Sequence, residues 1–413
     1  MSRMPIMDTT PIQSTTMGDR GDLAFIKDIA LQLLAYCRAN DWAGYDPYDA
    51  LNSRVFKALP FLNFKLARLA LTQGIKRCPL NLRPLLLIPK TPSSKGIALF
   101  LSSLTKLSKI GLLDRNEEIA LLADKLLALR SPDARYSCWG YNFDWQSRPV
   151  LVPKGSPNII CSTFAANALL DAYEQSPTSL WLNAAMSAAH FILDVLFWRD
   201  GGSVTCFSYT PLGRSEIHNA NLFGAALLCR LSFLTGQKVF LEPALDAVRY
   251  SVRKQHKDGS WLYGELPHHR WIDNFHTGFN LVALKRISEY VGTAEFDDAI
   301  RRGLDFYKGH FFREDGAPGY FHNATYPIDI HSVAQSVITF VELKDLAEGN
   351  IPLAHSVMSW GLKNMWDPQG FFYFQKLPHY TVRIPFIRWS QAWMLMALST
   401  LLEAQYNGGK QNR

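Results

Sequence analysis

The stretch Trp271-Ile272-Asp273-Asn274-Phe275-His276 decides the fold, because it sets an indole, a carboxylate and an imidazole at the entrance of an apolar helix. Asp258-Gly259 and Trp261-Leu262-Tyr263-Gly264 precede it, and Thr277 to Tyr290 follows with apolar residues at helical spacing. The unit is a turn, a short aromatic hairpin, a polar loop and a helix. It recurs at Asp315-Gly316, Tyr320-Phe321 and Tyr326-Pro327-Ile328-Asp329-Ile330-His331, and again at Gln369-Gly370, Phe371 to Phe374 and Arg388-Trp389. From His218 to His276 is 58 residues, from His276 to His331 is 55, and from His331 to Trp389 is 58. Asn158, 60 residues before His218, opens an earlier copy. A period near 57 residues accommodates two helices and a loop, so the chain is a helical-hairpin repeat.

The alternation extends through most of the chain. Leu23 to Arg38 and Phe61 to Ile75 read as amphipathic helices, and Gly96 to Ile110 pairs with Glu117 to Leu129. Inner helices are expected from Ile159, Asn219, Thr277, Ser332 and Ser390, with outer partners at 180–197, 240–255, 294–307 and 351–365. The last helix, Ser390 to Leu402, has no successor and is apolar on more than one face. A linear solenoid would need a polar cap there; closing onto the N-terminal helices buries both. The pattern therefore predicts an all-α (α/α)6 toroid with short β-hairpins in the rim loops. Residues 1–20 are expected to be a disordered segment, 21–405 one domain, and 406–413 a flexible tail.

Composition narrows the function classes. The 413 residues are 48% hydrophobic and 13% aromatic, with a formal net charge of +7. The basic residues are scattered, with no dense run of the kind nucleic-acid binding needs. Six cysteines, none in a CxxC pair or zinc spacing, read as reduced, mostly buried thiols. No metal-ligand spacing or Gly-rich phosphate loop appears, so no cofactor is expected. The first 19 residues lack the apolar core of a signal peptide, and no 18-residue run is wholly apolar. A cytoplasmic protein without a membrane span is expected, and peripheral membrane association is compatible with the sequence.

In a toroid every outer-to-inner connection lies on one rim, so loops 131–158, 199–218, 257–276, 313–331 and 367–389 should converge. They carry aromatic rings for stacking on sugar faces and polar groups for hydroxyls: Tyr141, Asp144, Trp145, Gln146, His218, Asn219, Trp261, Tyr263, Trp271, Tyr380, Arg383 and Trp389. Asp273, His276, Tyr326, Asp329, His331 and Arg388 are the candidate catalytic residues. Asp273 and Asp329 also fit helix N-caps, His276 and His331 fit imidazoles that satisfy a carbonyl, and Trp261 and Tyr263 fit hairpin packing. Arg388 is disfavoured by the positive end of a helix dipole, which predicts a partner in Asp329, Asp273 or an anionic ligand.

The segments Trp139-Gly140-Tyr141 with Phe143-Asp144-Trp145-Gln146, Asp273 to Gly278, Ile328 to His331 and Arg388 to Trp393 together resemble a bacterial and archaeal family found among polysaccharide-biosynthesis genes. That family is classed with the α/α toroids of prenyltransferases, terpene cyclases and six-hairpin glycosidases, and the resemblance spans about residues 95–405. Some members are labelled δ-aminolevulinate dehydratase, a TIM-barrel enzyme whose strand and helix alternation is missing here. Gln255 to Trp261 is similar to the QW repeat of squalene-hopene cyclases, although Asp329-Ile330-His331 replaces their Asp-x-Asp-Asp acid motif. Heparosan-type glucuronyl C5-epimerases share the toroid and use tyrosines, which would place Tyr326, Tyr263 or Tyr380 in that role.

The resemblance implies an enzyme of exopolysaccharide or capsule synthesis acting on a saccharide or lipid-linked oligosaccharide. For a uronate epimerase or lyase, Arg388 or Arg383 would neutralise a sugar carboxylate while His276, His331 or a tyrosine moved the proton. For a glycoside hydrolase, Asp273 and Asp329 would be acid and base. A terpenoid cyclase or prenyl-binding protein with Asp329 as proton donor, and a non-catalytic glycan-binding component, are the alternatives.

Overall fold

A computed structural model describes residues 19–411 apart from 115, 133, 148 and 149, and shows twelve long helices in two concentric layers. The inner layer is Ser94–Lys109, Ile159–Gln175, His218–Thr235, Asn274–Val291, Ile330–Glu342 and Trp393–Gln411, each packed on the next and the last packed on the first. Asn116–Ala128, Ser179–Phe191, Leu241–Arg253, Asp297–Phe311 and Asn350–Met365 cover five of them from outside. The sixth outer position is taken by Asp19–Ala39, packed on the final helix, so the two ends of the chain meet and no cap is needed. This is the (α/α)6 toroid that the period predicts. Its core is one continuous apolar cluster running through both layers.

The period has a physical basis in how each repeat begins. Asn158, Asp273 and Asp329 cap their helices by accepting from the backbone N–H of Cys161, His276 and His331. At each entrance a backbone N–H also reaches a carbonyl of the following rim loop. Ile159 donates to Tyr209, His218 to Tyr263, Asn274 to Tyr320 and Ile330 to Phe374. Ile387 then donates to Tyr45, in the connector after the first helix, and Ser94 Oγ donates to the Gly140 carbonyl. The rim is thus a closed belt of hydrogen bonds with an aromatic residue at almost every link. Gly259 shows why its turn needs glycine: φ is +91°, and a Cβ there would lie 2.1 Å from the Arg302 carbonyl oxygen.

Several boundaries depart from expectation. The final helix runs to Gln411, well into the stretch expected to be a tail, and the first begins at Asp19. Residues 1–18, most of the segment expected to be disordered, lie outside the described residues. The helix expected at Phe61 is Lys65–Arg77, and it lies outside the ring, against the rim. All six cysteines are free, five of them buried. Among the described residues one helical stretch, Ser179–Leu196, is long and apolar enough to cross a bilayer, with 44% of it buried. Its alanines 184, 185, 188 and 189 are buried in the wall of the toroid.

Candidate active site

The rim belt gathers His276, His331, Trp389 and Arg388 around one aromatic cluster at the entrances of the inner helices. His331 lies in the first turn of its helix, buried. Its ring stacks on Phe275 at 4.6 Å and stands 4.6 Å from Trp389 and 4.4 Å from Trp393. Neither of its nitrogens has a hydrogen-bond partner, and Trp393 Nε1 and Ser390 Oγ are likewise unpaired. Buried polar atoms left open in one place call for a partner, and four of them cluster here. Burial first, then the charges of Lys95, Arg388 and His276, hold the His331 imidazole well below its ordinary pKa, so it is neutral.

His276 faces the same aromatic wall, 4.4 Å from Phe275 and 6.0 Å from Phe279, with His331 5.8 Å from Phe279. Its Nδ1 lies 2.6 Å from Asp273 Oδ2, which also accepts from Trp271 Nε1, while Asp273 Oδ1 caps the helix. Asp273 is therefore both N-cap and orienting carboxylate: it fixes the ring and leaves Nε2 for other partners. Asp329 does similar work on the other side. Oδ1 accepts from the His331 N–H and from Trp389 Nε1, and Oδ2 accepts from Gln375 Nε2. Burial raises its pKa to about 6. Both carboxylates sit behind hydrogen-bond donors rather than open to the cluster.

Arg388 makes a bidentate ion pair with Asp46 at 2.6 and 2.8 Å. This replaces the expected pairing with Asp329 or Asp273, because ring closure brings the connector after the first helix beneath the last helix entrance. Burial opposes the guanidinium charge, but Asp46 outweighs it and Arg388 stays protonated. Lys95, which sequence reading did not single out, is a buried cation lying among aromatic rings. Its ammonium lies 4.4 Å from the Phe164 ring, 5.0 Å from Trp393 and 5.6 Å from Phe279, and it has no carboxylate or hydrogen-bond partner among the described residues. Burial, then the Arg388 charge, lowers its pKa to about 7.

Aromatic residues from the loops roof this cluster. Tyr263 stacks on Trp271 at 4.5 Å and lies 4.4 Å from His276. The hydroxyls of Tyr141 and Tyr209 are 2.7 Å apart, Trp145 packs 5.6 Å from Tyr209, and Tyr48 stands 5.4 Å from Trp389. Burial pushes the Tyr209 and Tyr263 phenols well above their usual range, so they stay protonated.

Other expected site residues stand elsewhere. His218 is buried between Ser251 Oγ at 3.1 Å and Glu265 Oε1 at 2.9 Å, and Asn219 is buried beside it. Trp261 is wedged against Gly303 and donates to the Ser251 carbonyl, which makes it hairpin packing and not a sugar platform. Arg383 is exposed over the Tyr373 ring on the outer side. Tyr380 is exposed and donates to the Arg77 carbonyl. Asp144 accepts from the Lys154 N–H, and Gln146 accepts from Arg68, both at the margin of the rim. Tyr326 is half-buried in the loop before Asp329. Among the described residues no cluster of three or more His, Cys, Asp or Glu is placed to hold a metal ion.

Two hollows of about 590 and 310 Å³ are not lined by a histidine, although the smaller reaches Phe164, the ring over which Lys95 lies. The smaller one is at the opposite end of the inner ring, where Arg230 pairs with Asp171 and Glu174, and Arg286 pairs with Glu342.

No protein-family model and no curated protein sequence matches this chain. Solved structures do resemble it. An unsaturated glucuronyl hydrolase specific for heparin matches with a TM-score of 0.64 and 12% identity, over 95% of this chain and 99% of its own. Cellobiose 2-epimerase from Bacillus thermoamylovorans matches at 0.58 and 12%, over 75% and 87%. A GH76 α-mannanase from Bacteroides thetaiotaomicron matches at 0.58 and 13%, over 78% and 88%. At such identities the likeness establishes the shared α/α-toroid fold.

Proposed function

We propose that the protein is a saccharide-modifying enzyme that moves a proton at a carbon next to a carbonyl or carboxylate, as an epimerase does. The observation that carries this reading is the pair of imidazoles on one aromatic wall, His276 held by Asp273 and His331 neutral with both nitrogens unpaired. One imidazole takes the proton from carbon, leaving an enolate whose oxygen charge is balanced by the Lys95 ammonium in a low-dielectric cluster. His276, whose imidazolium pairs with Asp273, returns a proton to the opposite face. Tyr263, Trp271 and Trp389 supply flat surfaces for the sugar ring. Lys95 takes the charge-balancing role that sequence reasoning gave to Arg388, because Asp46 already neutralises that guanidinium.

The resemblance in fold to cellobiose 2-epimerases and a sugar epimerase is consistent with this chemistry. The motif resemblance supports a polysaccharide or lipid-linked oligosaccharide as substrate, and exopolysaccharide or capsule synthesis in the cytoplasm as the setting. Hydrolysis by Asp273 and Asp329 is less favoured, since each carboxylate already accepts three hydrogen bonds from its own surroundings. The same saturation counts against Asp329 as the proton donor of a terpenoid cyclase.

The test is the product profile by NMR, in deuterated water, of purified protein incubated with neutral and uronate-containing oligosaccharides. Deuterium on a retained sugar carbon with an inverted centre supports epimerisation. A free reducing end without deuterium would replace this reading with hydrolysis.

A further inference from the structure

The connector between the first outer helix and the first inner helix carries a charge pattern unlike the rest of the chain. Residues 54–90 hold eight Lys and Arg and no Asp or Glu, so this segment accounts for a charge of +8 against a chain total of +7. The remainder of the protein is close to neutral. The same segment holds the four most exposed large apolar side chains among the described residues: Leu85 at 77%, Phe61 at 73%, Leu66 at 71% and Leu80 at 68%. Phe64 and Leu87 are also exposed. They flank the two ends of the helix Lys65–Arg77, with Lys65 and Arg77 exposed among them.

The exposure belongs to a fixed frame. Arg83 is fully buried in an ion pair with Asp49 at 2.8 Å, and Ser53 Oγ donates to the Leu86 carbonyl at 2.7 Å. Arg68 donates to Gln146, and Lys76 lies 2.6 Å from the Tyr48 hydroxyl and 5.9 Å from the Trp389 ring. The frame therefore fixes the segment at the rim, beside Tyr48, Gln146 and Trp389, with its apolar tips exposed. Asp144 and Asp49 pair with Lys57 and Arg83, and the other six cations of the segment have no carboxylate partner among the described residues; exposed apolar side chains in a segment with this charge match the headgroup and acyl boundary of an anionic bilayer. A neutral or basic protein partner would leave those cations unbalanced.

We propose that residues 54–90 seat the protein on an anionic membrane surface, with the leucine and phenylalanine tips inserted at the headgroup boundary and the exposed cations against lipid phosphates. The rim then lies at the level of the headgroups. Its fit to a lipid-linked saccharide rests on the proposed function, but the docking does not.

Flotation with phosphatidylcholine vesicles, with and without phosphatidylglycerol and in the absence of saccharide, tests it. Wild-type protein floats with the phosphatidylglycerol vesicles, and high salt weakens the binding. The doubles Leu66→Glu/Leu85→Glu and Lys65→Glu/Arg77→Glu each lower partitioning by about tenfold or more. Because all four side chains are exposed, the variants keep the wild-type thermal melt. Absence of flotation with either vesicle, or flotation unchanged in both doubles, overturns the proposal. So does a wild-type dimer that Leu66→Glu/Leu85→Glu dissolves without any vesicle binding, which would make the patch a contact between copies. Failure to find a reaction would leave these outcomes untouched.

Discussion

At the scale of single residues, the reading turns on which groups are free to act and which only orient. Asp273 caps a helix and holds His276, and these two duties separate by substitution. Asparagine caps as well as aspartate, so Asp273→Asn should keep the thermal stability within about 1 kcal/mol while weakening the support of His276. We expect turnover to fall by about 10- to 100-fold with the melting temperature nearly unchanged, checked by steady-state kinetics beside calorimetry. His331→Ala, which removes a proton carrier, should cost about 10² to 10⁴ in rate.

Lys95 adds a pH signature. Its folded pKa of about 7 lies below the ordinary lysine value of 10.5, so the charged form is disfavoured in the folded protein. Above the ordinary value both states are neutral; as pH falls through the window from 10.5 to about 7 the unfolded chain takes the proton first, and stability drops. Activity that needs the ammonium should run the other way and decline as pH rises through about 7. Lys95→Arg, whose charge persists, should remove that alkaline limb. Lys95→Met should lose activity while gaining stability at pH 6, by about 1 to 3 kcal/mol after the lost cation–π contacts are discounted.

Residue types alone could not divide the rim. Trp261 and Trp271 are ten positions apart in one loop and both are indoles, yet one is wedged against Gly303 and the other stacks on Tyr263. His218 and His331 occupy equivalent helix entrances, but a serine and a glutamate satisfy the first. That difference lies in neighbours from other repeats, which no local pattern reports.

At the scale of the element, the inner and outer helices were legible because their apolar period is strong and the entrances repeat. The caps at Asp273 and Asp329 were legible for the same reason. The first rim loop was not. The Pro-rich run from Pro79 to Pro92 carries no period that marks where the first inner helix begins, so Lys95 fell just outside the helix expected from Gly96. The turn glycines have a direct test. Gly259→Ala forces a positive φ on a residue with a Cβ and drives that Cβ into the Arg302 carbonyl. A loss of at least about 2 kcal/mol is expected in urea unfolding.

At the scale of the whole molecule, the toroid is closed by partners far apart in sequence. Arg388 and Asp46 are 342 positions apart and fully buried together, next to the link from Ile387 to the Tyr45 carbonyl. Sequence reading expected the ring to close but assigned Arg388 to nearer aspartates, since distance along the chain hides such a pairing. Asp46→Ala would leave a buried guanidinium unpaired, and we expect a loss of about 3 to 5 kcal/mol in equilibrium unfolding. Closure also explains why the cluster has two kinds of wall. Four successive repeats supply the imidazoles and tyrosines, while the junction of the chain's two ends supplies Lys95, Asp46 and Arg388.

The central claim is that two imidazoles serve opposite faces of one sugar carbon, and solvent exchange measures it directly. Once a substrate and its epimer are in hand, deuterium uptake into each is followed separately for His276→Ala and His331→Ala. The account predicts that both variants lose epimerisation, that one still exchanges the proton of the first epimer, and that the other still exchanges that of the second. Epimerisation surviving in either variant, or turnover without deuterium uptake, would contradict it.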